Sequence, residues 1–116
     1  MRVNIKVDVY GFTVVLVTTF DEYKKLVPDV DEASNFVTIS DRLRSYVLVT
    51  DAWDDMLDAN FLSCLSHEMN HAAMYILNKV DIVTDFEHQE SLCYLQDYLM
   101  LKSIKAIKRH MRKKLC

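Results

Sequence analysis

The sequence predicts an α+β fold in a single domain that spans residues 1–116. Its length matches one domain of common size and leaves no room for a second core. Apolar and polar residues alternate through the first half, as in half-buried strands, and recur at helical spacing after Asp51. A single glycine and a single proline exclude the glycine-rich phosphate loops, and with them Walker-type nucleotide hydrolysis and Rossmann cofactor binding.

The first two β-rich segments predict a hairpin. Residues 3–9 alternate between apolar and polar side chains, and a second run extends over residues 12–19, so the chain is expected to turn near Gly11. A short helix is predicted over residues 21–27, where Pro28 ends it.

Two further β-rich segments, at residues 36–39 and 46–50, should complete a mostly antiparallel or mixed sheet of three or four strands. The second of these precedes the first long helix directly.

Two long helices are predicted after the strands. Asp54, Asp55 and Asp58 crowd the start of a helical stretch that runs to about Lys79, and acidic side chains favour a helix N-terminus. A final helix is predicted over residues 87–112 from its apolar periodicity. The sheet is expected to pack against the first long helix, with the final helix crossing behind it.

Charge is distributed unevenly along the chain. Residues 1–101 carry 17 acidic and 7 basic side chains, whereas residues 102–116 carry 7 basic and no acidic ones. An acidic body disfavours phosphate backbones, so nucleic acid is not expected as a partner except through this basic helical tail. The favoured interpretation of the tail is a solvated helix end whose cations complement the helix dipole.

The sequence predicts a cytoplasmic protein without a membrane partner. The N-terminal residues alternate instead of forming an apolar signal segment, and no apolar stretch is long enough to span a bilayer. Three cysteines form no Cys-x-x-Cys pair, and an odd count suits a reducing compartment.

The segment His67-Glu68-Met69-Asn70-His71 places an H-E-x-x-H pattern inside the first long helix. Residues four apart lie on one helix face, so both imidazoles can reach one Zn²⁺ ion while Glu68 stands beside it as a general base. Random placement of these residue types would produce the pattern in about 0.6% of chains of this composition. The plainer interpretation is a pair of hydrogen-bonded boundary histidines beside a solvated glutamate.

A catalytic zinc ion needs a third protein ligand, and the final helix offers Glu87, His88 and Glu90. Glu87 is disfavoured because it is expected at the helix start, where a carboxylate already has a capping role. Tyr94 falls four residues after Glu90 on the same helix face, and could orient an imidazole as part of the catalytic site. Packing of its ring is the alternative.

With these residues the sequence resembles the zincin metallopeptidases, whose two metal ligands and general base match His67, His71 and Glu68. In the gluzincin branch a glutamate on the following helix supplies the third ligand, about twenty residues after the second histidine. Glu90 lies nineteen residues after His71, so the resemblance implies that Glu90 completes the site. Zincins that use a third histidine, such as the SprT-like group, would instead require His88. Because zincins generally lay the substrate along an edge strand, the resemblance also implies that residues 46–50, which directly precede the motif helix, form an exposed edge strand that aligns a peptide by main-chain hydrogen bonds.

The segment from Leu65 to Tyr98 is also similar to small bacteriophage-encoded metallopeptidases, in which an E-x-x-[AC]-Y-L segment follows the motif helix. Residues 90–95 fit that pattern. The resemblance implies a zinc-dependent peptidase that acts on a peptide or protein substrate in the host-cell cytoplasm. The alternative is a non-catalytic, zinc-stapled binding or regulatory protein, for example in phage assembly or host takeover.

Overall fold

A four-stranded sheet separates one short helix from two long ones in the computed structural model, which describes residues 1–31, 36–50 and 56–115. In chain order the elements are β1 (Arg2–Val7), β2 (Phe12–Val17), α1 (Phe20–Leu26), β3 (Phe36–Asp41), β4 (Arg44–Val49), α2 (Ala59–Lys79) and α3 (Glu90–Leu115). The α+β prediction is confirmed.

The sheet is mixed, with the strand order β1-β2-β4-β3. β1 and β2 form the predicted hairpin, whose turn contains Gly11 at a φ of 73°, a left-handed conformation that costs glycine little. β4 pairs in parallel with β2 and antiparallel with β3. The prediction that residues 46–50 form an edge strand is therefore wrong, because β4 lies inside the sheet and the two edge strands are β1 and β3.

Each face of the sheet has its own core. Inward side chains of β1, β2 and β4 pack with α2 and α3 on one face, around fully buried residues such as Phe61, Leu65 and Ile76. On the other face α1 covers Val15, Val17 and Leu48 through the buried Tyr23. The Tyr23 hydroxyl donates to the main-chain oxygen of Tyr46 at 2.7 Å, and burial raises the pKa of that hydroxyl above its ordinary value.

The long helices begin later than predicted. Asp58 caps α2 by accepting a hydrogen bond from the main-chain nitrogen of Asn60 at 2.8 Å, whereas Asp54 and Asp55 lie outside the described residues. α3 begins at Glu90, so Glu87 lies in the preceding turn and not at the helix start. Glu87 was disfavoured as a metal ligand because a carboxylate at a helix start has a capping role. In the structure that position belongs to Glu90, the acidic residue of the first turn of α3.

The basic segment from residue 102 onward is helical, as predicted, and one side of it packs on the core. Ser103, Ala106 and Ile107 are buried within it, and Ile107 belongs to the main core. Its lysine and arginine side chains that the structure describes are exposed. None of the described helices combines the length and the apolar character needed to cross a membrane.

Candidate functional site

The two motif histidines lie side by side on the solvent-facing side of α2. Both rings are exposed, and the side chain of His67 retains 63% of its accessible surface. Their Nε2 atoms are 3.2 Å apart and the ring planes are inclined by 75°. Two nitrogens that each lie about 2.0–2.1 Å from a tetrahedral zinc ion are about 3.3–3.4 Å apart. The imidazoles thus already have the separation of two zinc ligands.

Glu68 is the only charged side chain that is buried among the described residues, with 4% of its surface exposed. Its Oε1 atom lies 2.8 Å from the hydroxyl of Thr38, and its Oε2 atom lies 3.8 Å from Nε2 of His67. A buried carboxylate costs free energy unless it is hydrogen-bonded or paired. The fold therefore holds this carboxyl group next to the nitrogen that would bind a metal.

Thr38 joins the site to the edge of the sheet. Its hydroxyl is within hydrogen-bond distance of both the main-chain oxygen and the Oε1 atom of Glu68, at 3.1 and 2.8 Å. Thr38 was not predicted as a site residue, because it lies 30 residues before Glu68 and belongs to a different element. The sequence shows only a hydroxyl group between the apolar residues Val37 and Ile39, and this pattern does not indicate which residue the hydroxyl contacts.

A polar network attaches α3 to the motif helix. Asn70 donates from Nδ2 to the side-chain oxygen of Gln96 at 2.8 Å. Gln96 in turn donates to the main-chain and hydroxyl oxygens of Ser66, at 3.2 and 3.3 Å. Ser66 and Asn70 directly precede the two histidines, so this network fixes α3 against the turn of α2 that carries the motif.

The described residues do not assemble a complete three-ligand site. No group of three histidine, cysteine, aspartate or glutamate side chains within the described residues could hold a metal ion. Glu90 and His88 lie together in a separate cavity of about 370 Å³, at the start of α3, that no α2 residue lines. The residues present thus fit two zinc ligands and a neighbouring general base, and the third ligand stays a prediction for either residue.

His88 has the environment of a potential metal ligand. Its Nδ1 atom lies 2.6 Å from Oδ1 of Asp85, and this hydrogen bond holds the pKa of the Asp85 carboxyl below its ordinary value. Histidines that bind metals commonly present one ring nitrogen to the ion and donate from the other to a carboxylate. Nε2 of His88 would then be the ligand atom.

Tyr94 lies on a different surface. It is 69% exposed and lines a cavity of about 430 Å³ between α3 and the β1–β2 turn. That cavity is lined by Val7, Asp8, Val9, Tyr10, Ser91, Leu95 and Tyr98 besides Tyr94, and by no α2 residue. A catalytic role for Tyr94 has no contact in the structure to support it.

Comparison with known protein families, with curated proteins and with solved structures finds no match. The resemblance to the zincin metallopeptidases therefore rests on the H-E-x-x-H pattern alone, beside the positions of its three side chains. No relative contributes a substrate, partner or activity.

Proposed function

We propose that this protein is a zinc-dependent peptidase in which His67 and His71 hold the metal ion and Glu68 is the general base. The observation that carries the proposal is the pair of Nε2 atoms 3.2 Å apart with the buried Glu68 carboxyl group 3.8 Å from one of them. A hydrogen bond between two surface histidines would account for the distance between their Nε2 atoms, but it would not account for the carboxyl group that is buried beside them.

Zinc, when bound, would supply Lewis acidity toward a water molecule and a peptide carbonyl. Glu68 would accept a proton from the attacking water through Oε2 and deliver it to the nitrogen of the leaving peptide. Thr38 would hold the opposite oxygen, Oε1, so that the carboxyl group keeps a single orientation while the proton moves.

The free edge of β3 is the proposed binding strand for the peptide. β3 pairs only with β4 among the described strands, and its Thr38 contacts the general base. An extended peptide added to this edge would gain main-chain hydrogen bonds with little selection of sequence. This assignment replaces the sequence-based choice of residues 46–50, and it brings the peptide beside Glu68.

The alternative function is a zinc-stapled binding protein without catalysis. It is favoured by the lack of a complete three-ligand group among the described residues, since two histidines can share an ion with a ligand from a partner. In both cases we place the protein in the cytoplasm, in an infected host cell if the resemblance to phage-encoded peptidases holds.

The test is cleavage of an unfolded protein such as casein by zinc-loaded protein, compared with Glu68→Gln and His71→Ala. Glu68→Gln should retain zinc and lose cleavage by at least about a hundredfold, the scale of general acid–base catalysis. His71→Ala should lose both. Unchanged cleavage in Glu68→Gln would contradict the proposal, and zinc binding without cleavage in the wild-type protein would favour the stapled alternative.

A further inference from the structure

A third cavity, of about 670 Å³, lies where the β3–β4 turn meets the C-terminal end of α2. Tyr10, Phe12 and Tyr75 give it aromatic walls, and Arg42 and Lys79 add two cationic side chains. This volume is within the range of small-molecule and side-chain binding pockets. We refer to this cavity as the turn groove.

Tyr75 organises the turn groove through three contacts. Its hydroxyl donates to the main-chain oxygen of Arg42 at 3.0 Å, and its ring meets Phe12 edge to face with centroids 6.2 Å apart. The Nζ atom of Lys79 lies 5.5 Å from the centroid of the same ring. One aromatic side chain therefore fixes both the turn that carries Arg42 and the position of the Lys79 ammonium group.

The two cations of the turn groove are available to an anion. Within the described parts of the chain, no carboxylate lies within salt-bridge distance of the Arg42 or Lys79 head groups. Asp41 is the acidic residue of the lining, so the lining carries a net positive charge. This excess contrasts with the acidic character of residues 1–101 as a whole. The cations attract a carboxylate, and the aromatic walls beside them suit an apolar group that carries it.

The turn groove and the proposed general base lie along the same face of α2. Glu68, Tyr75 and Lys79 occupy positions i, i+7 and i+11 of α2 and share one helix face. β3 and the turn after it lie along that face: Thr38 of β3 contacts Glu68, and Arg42 of the turn contacts Tyr75. Seven helical residues rise about 10 Å, which is the length of about three residues of extended peptide.

We propose that the turn groove binds a carboxylate of the peptide substrate, about three residues from the bond next to Glu68. The groove's link to cleavage rests on the proposed peptidase function, whereas carboxylate binding does not. A C-terminal carboxylate and an acidic side chain offer the same charge, and Arg42 and Lys79 would recognise either.

The test is a titration of the full-length, metal-free protein followed by ¹H–¹⁵N NMR, in which no cleavage can occur. Three N-acetylated peptides are compared, each with five alanines followed by one further residue. This last residue is phenylalanine with a free carboxylate in the first peptide, phenylalanine amide in the second and glutamate amide in the third. The first peptide should cause saturable shifts at Arg42, Tyr75 and Lys79, and the second should bind at least tenfold more weakly. The third peptide reports whether a side-chain carboxylate is sufficient for binding.

The variant Arg42→Gln/Lys79→Gln should weaken binding of the free-carboxylate peptide about tenfold or more. Lys25→Gln/Lys108→Gln removes the same charge from exposed positions elsewhere and should leave binding unchanged. Equal binding of the first two peptides, no shifts at the groove, or equal effects of the two double variants would overturn the proposal. Because metal is absent, a failure here is separate from a failure of the peptidase proposal.

Discussion

The buried carboxyl group of Glu68 is a feature that stability alone does not favour. Its one potential ion-pair partner in the described structure is the exposed ring of His67, at 3.8 Å. Glutamine has the same shape and would keep the hydrogen bond from Thr38 without burying a charge. A fold selected only for stability would favour glutamine here, whereas a general base requires the carboxylate.

We therefore expect Glu68→Gln to stabilise the metal-free protein by about 1 kcal/mol, because the variant removes the desolvation cost of a buried carboxylate. The free energy of unfolding from urea titration, in the presence of a chelator, measures this change. Thr38→Val is the matched control, since it leaves the carboxyl group without its donor and should cost about 1–3 kcal/mol. Destabilisation by Glu68→Gln would show that the carboxylate serves the fold.

The motif side chains could be predicted at this scale because all three lie within five residues of one helix. Helical geometry then fixes their relation whatever the rest of the chain does. Thr38 could not be predicted in the same way. Its contact with Glu68 depends on β3 lying at the edge of the sheet and against α2, and no local pattern specifies that arrangement.

At the scale of elements, the sequence predicted the strands and helices well and their arrangement less well. Alternation identified the β1–β2 hairpin because its two strands are adjacent in sequence. The order of the remaining strands depends on the parallel pairing of β2 with β4, which spans α1 and β3. Because of that pairing, β4 lies inside the sheet, and β3 takes its place as the proposed peptide-binding strand.

The start of α3 was also displaced, by local hydrogen bonds. Asp85 and His88 close a turn through their side chains, and the main-chain oxygen of Gln89 accepts the hydrogen bond from the nitrogen of Cys93. The helix consequently begins at Glu90. The turn places Glu90 and His88 in one cavity, and both residues stay candidates for the third ligand.

Zinc titration of single variants distinguishes these two candidates. If Glu90 is the third ligand, Glu90→Gln should reduce zinc affinity about tenfold or more, because a neutral amide replaces the ligand carboxylate. His88→Gln should then leave zinc affinity unchanged, because His88 is not a ligand. Competition with a fluorescent zinc indicator measures both affinities. A loss in His88→Gln alone would assign the third position to His88, and unchanged affinity in both variants would exclude the start of α3 from the site.

At the scale of the whole molecule, α3 connects the candidate site to the far end of the core. Gln96 attaches it beside the motif, and Ile107, which is fully buried, anchors the basic segment more than two turns later. The charge pattern predicted the exposed basic side chains correctly. It could not reveal that the residues between them are part of the core.

Ile107→Ala should therefore destabilise the whole domain by about 2–4 kcal/mol, because it leaves a cavity under the basic segment. Urea unfolding followed by far-UV circular dichroism measures this loss. Lys108→Gln, which alters an exposed neighbour of the same helix, should change stability by less than about 0.5 kcal/mol. A loss below about 1 kcal/mol in Ile107→Ala would contradict the packing of α3 on the core.

Zinc binding by the two motif histidines is tested most directly by an anomalous-difference map from a crystal grown with zinc, with data collected on both sides of the zinc absorption edge. We expect one peak within about 2.0–2.1 Å of Nε2 of both His67 and His71, with the Glu68 carboxyl group close by but outside bonding distance. A peak at other residues, or full zinc occupancy without either histidine as a ligand, would contradict it.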